Sequence, residues 1–385
     1  MPKVILVHHS EIALKGMNRS KFESTLARNI KNKLKELNLE EVSKTQTRVV
    51  VRLRSDELLP KAVSSIKKVF GVKWFTIAEE CEEDINKIRD TIFSLCNNLL
   101  SENVSFRVVA KRANKSFPLS SMQLEEEVGA FLVNKFKAKV DLKNPTRKIY
   151  IEITKGKSYI YLEKIQGPGG LPVGVAGKLV SLISGGIDSP VASWLAMKRG
   201  AQLVYLHFHP YESSEMVKNS KIKELILLLS EWGSSKKLYA APSSEFLLRS
   251  ISLSTPKYNL HLFKKLMFRV AEEIAKKENA KGIVTGDSLS QKASQTLEAM
   301  QVTDTGMSLP IIRPLLGYDK DEIVSLAQKI GTYEPSIKEY KDCCSIIAKH
   351  PSTKPNYSTF VKLEKEINLE EIVQETLKNI EVIEF

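Results

Sequence analysis

The chain has 385 residues, of which 42% are hydrophobic and 27% charged, a balance that excludes a disordered or fibrous protein. No apolar run reaches the roughly 18 residues that span a bilayer, and the N-terminal stretch lacks a signal-peptide pattern, so we expect a cytoplasmic protein without a membrane partner. Residues 1–165 carry 31 lysines and arginines against 20 aspartates and glutamates, whereas residues 166–385 carry 27 against 25. The excess positive charge of the first half is typical of a region that binds a polyanion, although solubility alone is the alternative explanation.

Four cysteines occur in the sequence, and none of them belongs to a CxxC pair: Cys81, Cys96, Cys343 and Cys344. We therefore expect no disulfide framework, no zinc site, no iron–sulfur cluster and no other protein-bound metal. Cys81 and Cys96 lie in the first half and are predicted to be buried apolar residues.

The first half alternates strand-like and helix-like segments. Residues 1–76 have the order strand, helix, strand, strand, helix, strand, which is that of a ferredoxin-like domain. In residues 77–165, a strand at 104–110 leads into the basic loop KRANKSFPLSS and a helix at 121–136. Residues 166–177 hold five glycines and two prolines, and are predicted to be a linker without regular structure.

From residue 178 onward, strands alternate with helices, which predicts a parallel sheet covered by helices. Strands are predicted near 178–183, 202–208, 236–240 and 281–285, and helices near 190–199, 215–232, 259–278, 289–299 and 319–330. The acidic end, KLEKEINLEEIVQETL, is predicted to be a surface helix. The expected fold class is thus a multidomain protein with α+β domains followed by an α/β domain.

The strongest local signal is the segment SGGIDSP at residues 184–190, between a buried strand and a helix. Its two glycines allow a phosphate to approach the backbone, and the N–H groups of a helix start face anions. Ser189 and Pro190 suit the N-cap and the first position of the helix, and Gly200 is expected to end it. The segment is not a Walker A loop, and an ordinary tight turn is the plain alternative.

The SGGxDS signature resembles the PP-loop of ATP pyrophosphatases, which cleave ATP between the α- and β-phosphates. Four further segments are HSEIALKGMNR near the N-terminus, TGDSLSQKASQT at 285–296, RPLLGYDKDEI at 313–323 and DCCSIIAKHP at 342–351. Together with SGGIDSP they resemble the tRNA 4-thiouridine synthetase family, also called tRNA uridine 4-sulfurtransferases, over essentially the whole chain.

The resemblance implies a ferredoxin-like domain at 1–76, an RNA-binding THUMP domain at 77–165 and, after the linker, a catalytic PP-loop domain at 178–385. It also implies a reaction in two steps that uses ATP with Mg²⁺. ATP adenylates O4 of the uridine at position 8 of family tRNAs and releases pyrophosphate. Sulfur from a cysteine persulfide then displaces AMP and gives 4-thiouridine.

The resemblance also implies the site residues. Asp188 is expected to orient Mg²⁺ or pyrophosphate, with helix capping as its alternative role, and Lys320 to stabilise charge on the phosphate. Cys344 is expected to carry the sulfur with Cys343 as a second thiol, and the nearby Lys341, Lys349 and His350 to favour the thiolate. The implied ATP-binding residues are Leu182, Ile183, Ser184, Gly185, Gly186, Asp188, Ser189, His207, Phe208, Lys264, Gly286 and Gln295. Of these, Gly286 is expected to let the nucleotide approach, and its neighbour Asp287 only to cap a helix.

Two groups of residues are candidates for RNA binding. The basic loop combines cations with an aromatic ring that can stack on a base: Lys111, Arg112, Lys115 and Phe117. A strand in the first domain supplies Arg48, Arg52 and Arg54, of which Arg52 and Arg54 share a face by the two-residue period of a strand. A solvated charged face is the alternative interpretation.

The expected partners are tRNA, a cysteine desulfurase or inorganic sulfide as sulfur donor, and a second copy of the chain in a homodimer. Many bacterial members of the family add a rhodanese domain, to which a role in thiamine thiazole synthesis belongs; we expect neither here. Two other functions stay open: another PP-loop tRNA-modifying enzyme, such as a 2-thiolase or lysidine synthetase, and a non-catalytic tRNA-binding protein with a vestigial nucleotide site.

Overall fold

A computed structural model of the chain describes residues 2–9, 11–14, 16–37, 39–45, 48–347 and 350–385. For Ala13, Leu14 and Cys344 it describes the backbone alone. The chain divides into two compact units, Met1–Gly170 and Leu171–Phe385. In the part of the chain that is described, no helix is both long and apolar enough to cross a membrane.

Unit 1 contains a mixed sheet with helices on one face. Its strands are β1 (Lys3–His8), β2 (Leu39–Lys44), β3 (Arg48–Leu53), β4 (Trp74–Glu82), β5 (Ser105–Arg112), β6 (Lys139–Val140), β7 (Arg147–Thr154), β8 (Lys157–Tyr161) and β9 (Ile165–Gln166). Its helices are α1 (Arg19–Lys33), α2 (Leu59–Ile66), α3 (Ile85–Cys96) and α4 (Ser121–Phe136), with 3-10 turns at Glu11–Leu14, Gly16–Asn18 and Asp56–Leu58. The strand order is β2-β3-β1-β4-β8-β7-β5-β6, and β9 pairs with β4.

Alternation along the strands decides which face of this sheet is covered. Ile5 and Val51 are buried in a cluster with residues of α1 and α2, and Phe106 and Ile151 in a cluster with residues of α3 and α4. Because successive side chains point to opposite faces, the residues between them lie on the other face of the sheet. We call it the open face because no described residue of the four helices contributes to its smaller buried cluster, which includes Val4, Leu6 and Val50. The predicted ferredoxin-like order of elements and the helix at 121–136 are confirmed.

Two predicted borders fall within ordered structure. The expected division between residues 76 and 77 falls inside β4, which pairs with β1 through Trp74–Glu79 and with β8 through Glu79–Glu82. The segment 166–177 is not an unstructured linker, because its start belongs to β9 and Gly167 donates its N–H to the Lys73 carbonyl, 2.9 Å away. Its end is bonded within unit 2, where Ala176 donates to the Gly200 carbonyl at 3.0 Å.

Unit 2 is an α/β domain. Its strands are β10 (Lys178–Leu182), β11 (Gln202–His209), β12 (Lys237–Pro242), β13 (Ile283–Val284), β14 (Ile311–Ile312) and β15 (Glu381–Glu384). Its helices are α5 (Asp188–Lys198), α6 (Glu215–Lys218), α7 (Lys221–Ser230), α8 (Ser244–Ser250), α9 (Asn259–Glu278), α10 (Leu297–Asp304), α11 (Lys320–Ile330), α12 (Tyr333–Ile337), α13 (Cys343–Ile347), α14 (Tyr357–Glu366) and α15 (Leu369–Lys378), with 3-10 turns at Pro256–Tyr258 and Ala293–Gln295.

The sheet of unit 2 has the order β14-β13-β10-β11-β12-β15. All neighbours are parallel except β15, which pairs antiparallel with β12. The chain leaves β10 toward β11 on one side and returns to β13 on the other, so β10 ends where ligands bind in open α/β sheets. The predicted parallel sheet is confirmed, with β15 as an addition at its edge.

The helices of unit 2 correct three predictions. The segment predicted as one helix at 215–232 is two helices, α6 and α7. The helix predicted at 289–299 begins at Leu297. The acidic end is not a surface helix but the pair α14 and α15, because Phe360, Leu363, Ile372 and Val373 are buried in the main core with residues of α9. Its acidic residues lie on the opposite face, which is why the composition suggested solvent.

Candidate nucleotide-binding site

Two serines close the loop that follows β10. Ser189 accepts a hydrogen bond at Oγ from the Ser184 N–H, 2.9 Å away, and the two hydroxyl oxygens are 3.1 Å apart. Gly186 donates its N–H to Ser184 Oγ at 3.3 Å. Ser189 was expected to cap the helix, but α5 begins one residue earlier at Asp188, and the Ser189 hydroxyl closes the loop instead. Gly200, at φ 91°, follows the end of α5 as expected.

A cavity of about 420 Å³ opens at the carboxyl ends of β10, β11 and β13. All the sequence-predicted ATP contacts except Gly185 and Gly186 line it: Leu182, Ile183, Ser184, Asp188, Ser189, His207, Phe208, Lys264, Gly286 and Gln295. Apolar side chains that the motifs did not mark complete the wall, namely Leu206, Leu260, Phe263, Met267 and Phe268. Leu206 belongs to β11, and the other four belong to α9, where their helical spacing alone predicts an ordinary core face.

The two residues expected to handle phosphate charge meet at the mouth of this cavity. Lys320 donates from Nζ to Asp188 Oδ1 at 2.6 Å, although 132 positions separate them in the sequence. Lys320 opens α11 as predicted, behind a capping box formed by Asp319 and Glu322. The Asp188 carboxylate is largely buried and the Lys320 ammonium is 45% exposed, so the pair presents an exposed cation beside a buried acid.

Asp287 is the centre of a buried network at the base of the cavity, and not a helix cap. Lys264 Nζ lies 2.8 Å from its carboxylate, and the Gln295 amide donates to the same oxygen at 3.3 Å. Arg313 contacts the second oxygen at 3.4 Å and makes a two-pronged pair with Asp304. Burial opposes ionisation of Asp287, but the charge and hydrogen bond of Lys264, the Thr285 hydrogen bond and the Arg313 charge together outweigh it and lower the pKa to about 2.

Two glycines allow close packing around the loop. A Cβ on Gly286 would lie 2.7 Å from the Ser189 nitrogen, so this glycine lets β13 pack against the start of α5. Gly286 thus has a packing role, and because it also lines the cavity, its expected contact with the nucleotide stays a prediction. A Cβ on Gly185 would lie 2.5 Å from Cε of Lys221 and 3.0 Å from the Tyr340 ring, so the loop also lies against the segment before the cysteines.

His207 lines the cavity, but its ring nitrogens are used by the protein. Nδ1 lies 2.8 Å from the Ile183 carbonyl and Nε2 lies 2.8 Å from the Tyr340 hydroxyl. Burial lowers the pKa of His207, which keeps the ring neutral. An adenine contact by His207 is therefore restricted to the ring face.

The cysteine pair differs from expectation at Cys343. Its side chain is buried, it donates from Sγ to Ser243 Oγ at 3.3 Å, and burial raises its pKa to about 12. The prediction that neighbouring cations favour the thiolate is therefore wrong for Cys343. The Cys344 side chain and Lys349 lie outside the described residues. Cys96 is buried as predicted, whereas Cys81 is half-buried.

Several predicted RNA contacts of unit 1 are engaged inside the protein. Arg48 is buried and pairs with Glu152, and Arg52 pairs with two glutamates. Arg112 donates to the carbonyls of Phe117 and Leu119 at 2.8 and 3.0 Å, and the Phe117 ring is buried in the core. These placements correct the expectation for Arg48, Arg52, Arg112 and Phe117. The exposed members of the predicted set are Arg54, Lys111 and Lys115.

A group of residues on the open face of the unit 1 sheet was missed. We call it the aromatic face and define it as Trp74, Tyr150, Lys111, Lys148 and Lys164. The Lys164 ammonium lies 4.7 Å from the Trp74 ring centre and 4.1 Å from that of Tyr150. Partial burial, together with the nearby ammonium groups of Lys111 and Lys148, lowers the pKa of Lys164, against an opposing effect of Glu152.

His8 reports the same positive potential on the aromatic face. It stacks on Trp74 with ring centres 3.8 Å apart. Burial, followed by the cations Arg48 and Lys111, lowers its pKa to about 3. The signal in the sequence was the two-residue period, which puts Trp74 and Tyr150 on the open face because Phe75 and Ile149 are buried.

A parallel sheet with a phosphate loop after β10, an Asp–Lys pair beside it and a cavity at the sheet edge defines a PP-loop nucleotide-binding enzyme class. Residues 174–369 match the family model described as thiamine biosynthesis protein (ThiI), 4–76 the ThiI ferredoxin-like domain and 82–163 the THUMP domain. The chain belongs to the ThiI family. These matches confirm the family and the fold class predicted from the motifs.

Relatives cover the chain almost end to end. It is 39% identical over 97% of both chains to a probable tRNA sulfurtransferase of Caldanaerobacter subterraneus subsp. tengcongensis. It is 40% identical to another of Thermoanaerobacter pseudethanolicus, over 97% of this chain and 98% of that one. A 4-thiouridine synthetase solved with RNA and bound ATP superposes with a TM-score of 0.87 at 32% identity, over 100% of this chain and 99% of that one. The solved structure of PH1313 of Pyrococcus horikoshii superposes with a TM-score of 0.66 at 28% identity, over 86% of this chain and 99% of that one.

Proposed function

We propose that this protein is an ATP-dependent tRNA sulfurtransferase that converts a tRNA uridine to 4-thiouridine. The observation that carries the proposal is one cavity lined by the SGGIDSP loop, by Asp188 and by Cys343, beside the backbone of Cys344. Relatives of this length are named tRNA sulfurtransferases, and a solved relative is a 4-thiouridine synthetase with RNA and ATP.

ATP fits the two ends of the cavity. The apolar wall of Leu182, Phe208 and Phe263 suits a purine ring, and the loop N–H groups at the start of α5 suit the phosphates. Asp188 offers a carboxylate at that end, the ligand type that Mg²⁺ prefers, so we propose that Asp188 holds Mg²⁺ together with the phosphates. The bound ion would neutralise phosphate charge, and Lys320 would stabilise the negative charge that develops on the α-phosphate.

The chemistry consists of two displacements. The uridine O4 forms a bond to the α-phosphorus while the bond to the bridging β-phosphate oxygen breaks, and pyrophosphate leaves. The outer sulfur of a cysteine persulfide then bonds to C4, and the C4–O4 bond breaks as AMP departs. A second thiolate attacks the cysteine sulfur of the resulting C4–S–S–Cys bridge, which leaves sulfur on C4 and a disulfide that an external thiol reduces.

We propose Cys344 as the persulfide carrier. Cys81 and Cys96 belong to unit 1, and Cys343 is buried with a raised pKa and a hydrogen bond to Ser243. A thiol of high pKa is a poor nucleophile at neutral pH, so Cys343 suits at most the secondary role. Either Cys343 or an external thiol then acts as the second thiol that attacks the C4–S–S–Cys bridge.

Unit 1 supplies the tRNA contact in this proposal. The aromatic face combines three clustered ammonium groups with two half-exposed rings, which suits a phosphate backbone and unstacked bases. Lys115 and Arg54, both exposed, are further candidates. We also propose a cysteine desulfurase or inorganic sulfide as donor, a homodimer and a cytoplasmic location; these stay predictions.

The test is nucleoside mass spectrometry of unmodified tRNA incubated with the protein, ATP, Mg²⁺, lysine and a persulfide source, namely a cysteine desulfurase with cysteine. We expect 4-thiouridine to appear only when ATP is present, and the Asp188→Ala variant to give none. Formation of 2-thiouridine or lysidine would favour another PP-loop enzyme. Tight tRNA binding without any modified nucleoside, and without pyrophosphate release, would favour the non-catalytic alternative.

A further inference from the structure

The segment that carries the cysteines is attached to the sheet edge at two points. Tyr340 contacts Nε2 of His207 at the end of β11, with 2.8 Å between the hydroxyl oxygen and the nitrogen. Cys343 donates from Sγ to Ser243, whose N–H and hydroxyl both donate to the His209 carbonyl. The two residues between Ile337 of α12 and Tyr340 therefore lead into a stretch that is fixed at both ends.

The Tyr340 contact has a defined direction. The Ile183 carbonyl can only accept, so the His207 nitrogen beside it, Nδ1, carries the proton. Because burial keeps the ring neutral, Nε2 has a free lone pair and accepts from the Tyr340 hydroxyl. A continuous chain of hydrogen bonds thus runs from Tyr340 through His207 to the backbone of the phosphate loop.

The Tyr340 ring is held as well. Gly185 of the loop packs against it, and Tyr211 meets it edge-on with ring centres 6.0 Å apart. Lys221 lies over the ring and donates to the carbonyls of Ser336 and Lys338, at 2.7 and 2.5 Å, just before the segment. The chain approaching the cysteines is thereby fixed relative to the loop.

We propose that Tyr340 is a positioning residue for the sulfur-transfer step. Its hydroxyl, through His207, sets the distance between the adenylated uridine in the nucleotide site and the sulfur carried by the next residues, and adenylation does not need it. This inference rests on the proposed function. Tyr340 itself does not line the cavity, so its role is to place the nucleophile and not to touch the nucleotide.

The test is Tyr340→Phe, which deletes one oxygen and keeps the ring. Pyrophosphate release and 4-thiouridine formation are measured on the same tRNA, the second in a single turnover with enzyme whose cysteine has been loaded with persulfide sulfur by a cysteine desulfurase and cysteine. We expect thiolation to fall by about 10- to 100-fold, the range that a misplacement of about 1 Å produces, with pyrophosphate release and the KM for ATP changed less than about 3-fold.

The matched control is Tyr239→Phe in the same unit, which deletes a hydroxyl bonded to Glu278 at 2.7 Å. It should lower the melting temperature by a similar amount and change neither rate. An equal loss of both rates in Tyr340→Phe, or no loss, overturns the proposal. If Tyr340→Phe does not fold, Tyr340→His is tested instead, because it keeps a ring N–H donor. It must slow thiolation, by a smaller factor than expected for Tyr340→Phe, and leave pyrophosphate release unchanged. Wild-type protein that makes no 4-thiouridine refutes the proposed function instead.

Discussion

Cations are used differently in the two units. In unit 2, Lys320 and Lys264 each meet one carboxylate, at 2.6 and 2.8 Å, and line or border one cavity. On the aromatic face of unit 1, three lysines cluster, and partial burial together with the charges of Lys111 and Lys148 lowers the pKa of Lys164. A pair at fixed distance serves a reaction whose charge develops at one place, whereas a cluster of like charges serves a long, mobile polyanion. If the two arrangements were exchanged, unit 2 would lose reaction rate and unit 1 would lose affinity for tRNA.

The largest effect should follow loss of the acid in the first pair. Asp188→Ala should lower pyrophosphate and AMP formation by at least about 1,000-fold, because the metal and phosphate lose their carboxylate. The tRNA affinity should stay within about 2-fold, since its contacts belong to unit 1. Both are measured by pyrophosphate release and filter binding, with the exposed Glu298→Ala as control. Unchanged pyrophosphate release would refute the PP-loop assignment.

Cys344→Ser separates the two half-reactions within unit 2. We expect thiolation to fall by at least about 100-fold, because the nucleophile is gone, while pyrophosphate release continues. Cys343→Ser should slow multiple turnovers more than a single one, and alanine at Cys81 or Cys96 should change neither. Nucleoside mass spectrometry and pyrophosphate assays measure both steps. Normal thiolation by Cys344→Ser with sulfide would show that sulfide attacks directly.

Asp287 tests the second pair through stability. Asp287→Asn leaves two buried cations without their shared anion, and should lower the free energy of unfolding of unit 2 by about 3–5 kcal/mol in urea titrations. Asp304→Asn, on the exposed side of the same arginine, should cost less. The pKa of Asp287 is lowered on folding to about 2, so its stabilisation is complete above pH about 4 and is lost as the pH falls toward 2. A pH-independent difference between wild type and Asp287→Asn across that range would contradict this ionisation.

The lysine cluster should affect affinity and salt dependence, not rate. Lys111, Lys148 and Lys164 changed together to Gln should weaken tRNA binding by about 10- to 100-fold and reduce the slope of log K against log salt by about 2 to 3. The rate of 4-thiouridine formation at saturating tRNA should stay unchanged. Exposed lysines on the helices of unit 1, Lys61 and Lys87, changed to Gln are the control. If the control variant weakens tRNA binding by the same factor, the lysine cluster contributes only through the overall positive charge of unit 1.

The smallest effect compares two aromatic residues of unit 1. Trp74→Leu should weaken tRNA binding by about 5- to 20-fold, as one lost stacking contact does, with little change in the salt slope. Phe117→Leu, in the buried core, should lower the melting temperature and leave affinity unchanged. Binding isotherms at two salt concentrations and thermal melts give both quantities. The reverse result would restore Phe117 to the RNA contact predicted from sequence.

The sequence predicted the elements that a motif or a strong period marks. The SGGIDSP loop and the start of α11 at Lys320 followed from local patterns. The strand-end residues of the cavity followed from the family resemblance, and a parallel sheet brings those ends to one edge. The apolar side chains of α9 in the cavity wall were missed. Partners distant in sequence were beyond reach. Nothing local to Arg48 points to Glu152, and nothing local to Asp287 points to Lys264 and Arg313, so a buried arginine appeared as an RNA contact and a network centre as a helix cap.

The continuous strand β4 has a consequence for how unit 1 unfolds and where proteases can cleave it. Between residues 76 and 77 there is no hinge: one half of β4 completes the sheet beside β1 and the other begins the sheet beside β8. Cutting there would leave each piece with an unsatisfied sheet edge, the feature that drives chains to aggregate. The ferredoxin-like and THUMP parts should therefore melt in one transition and resist proteases at their junction.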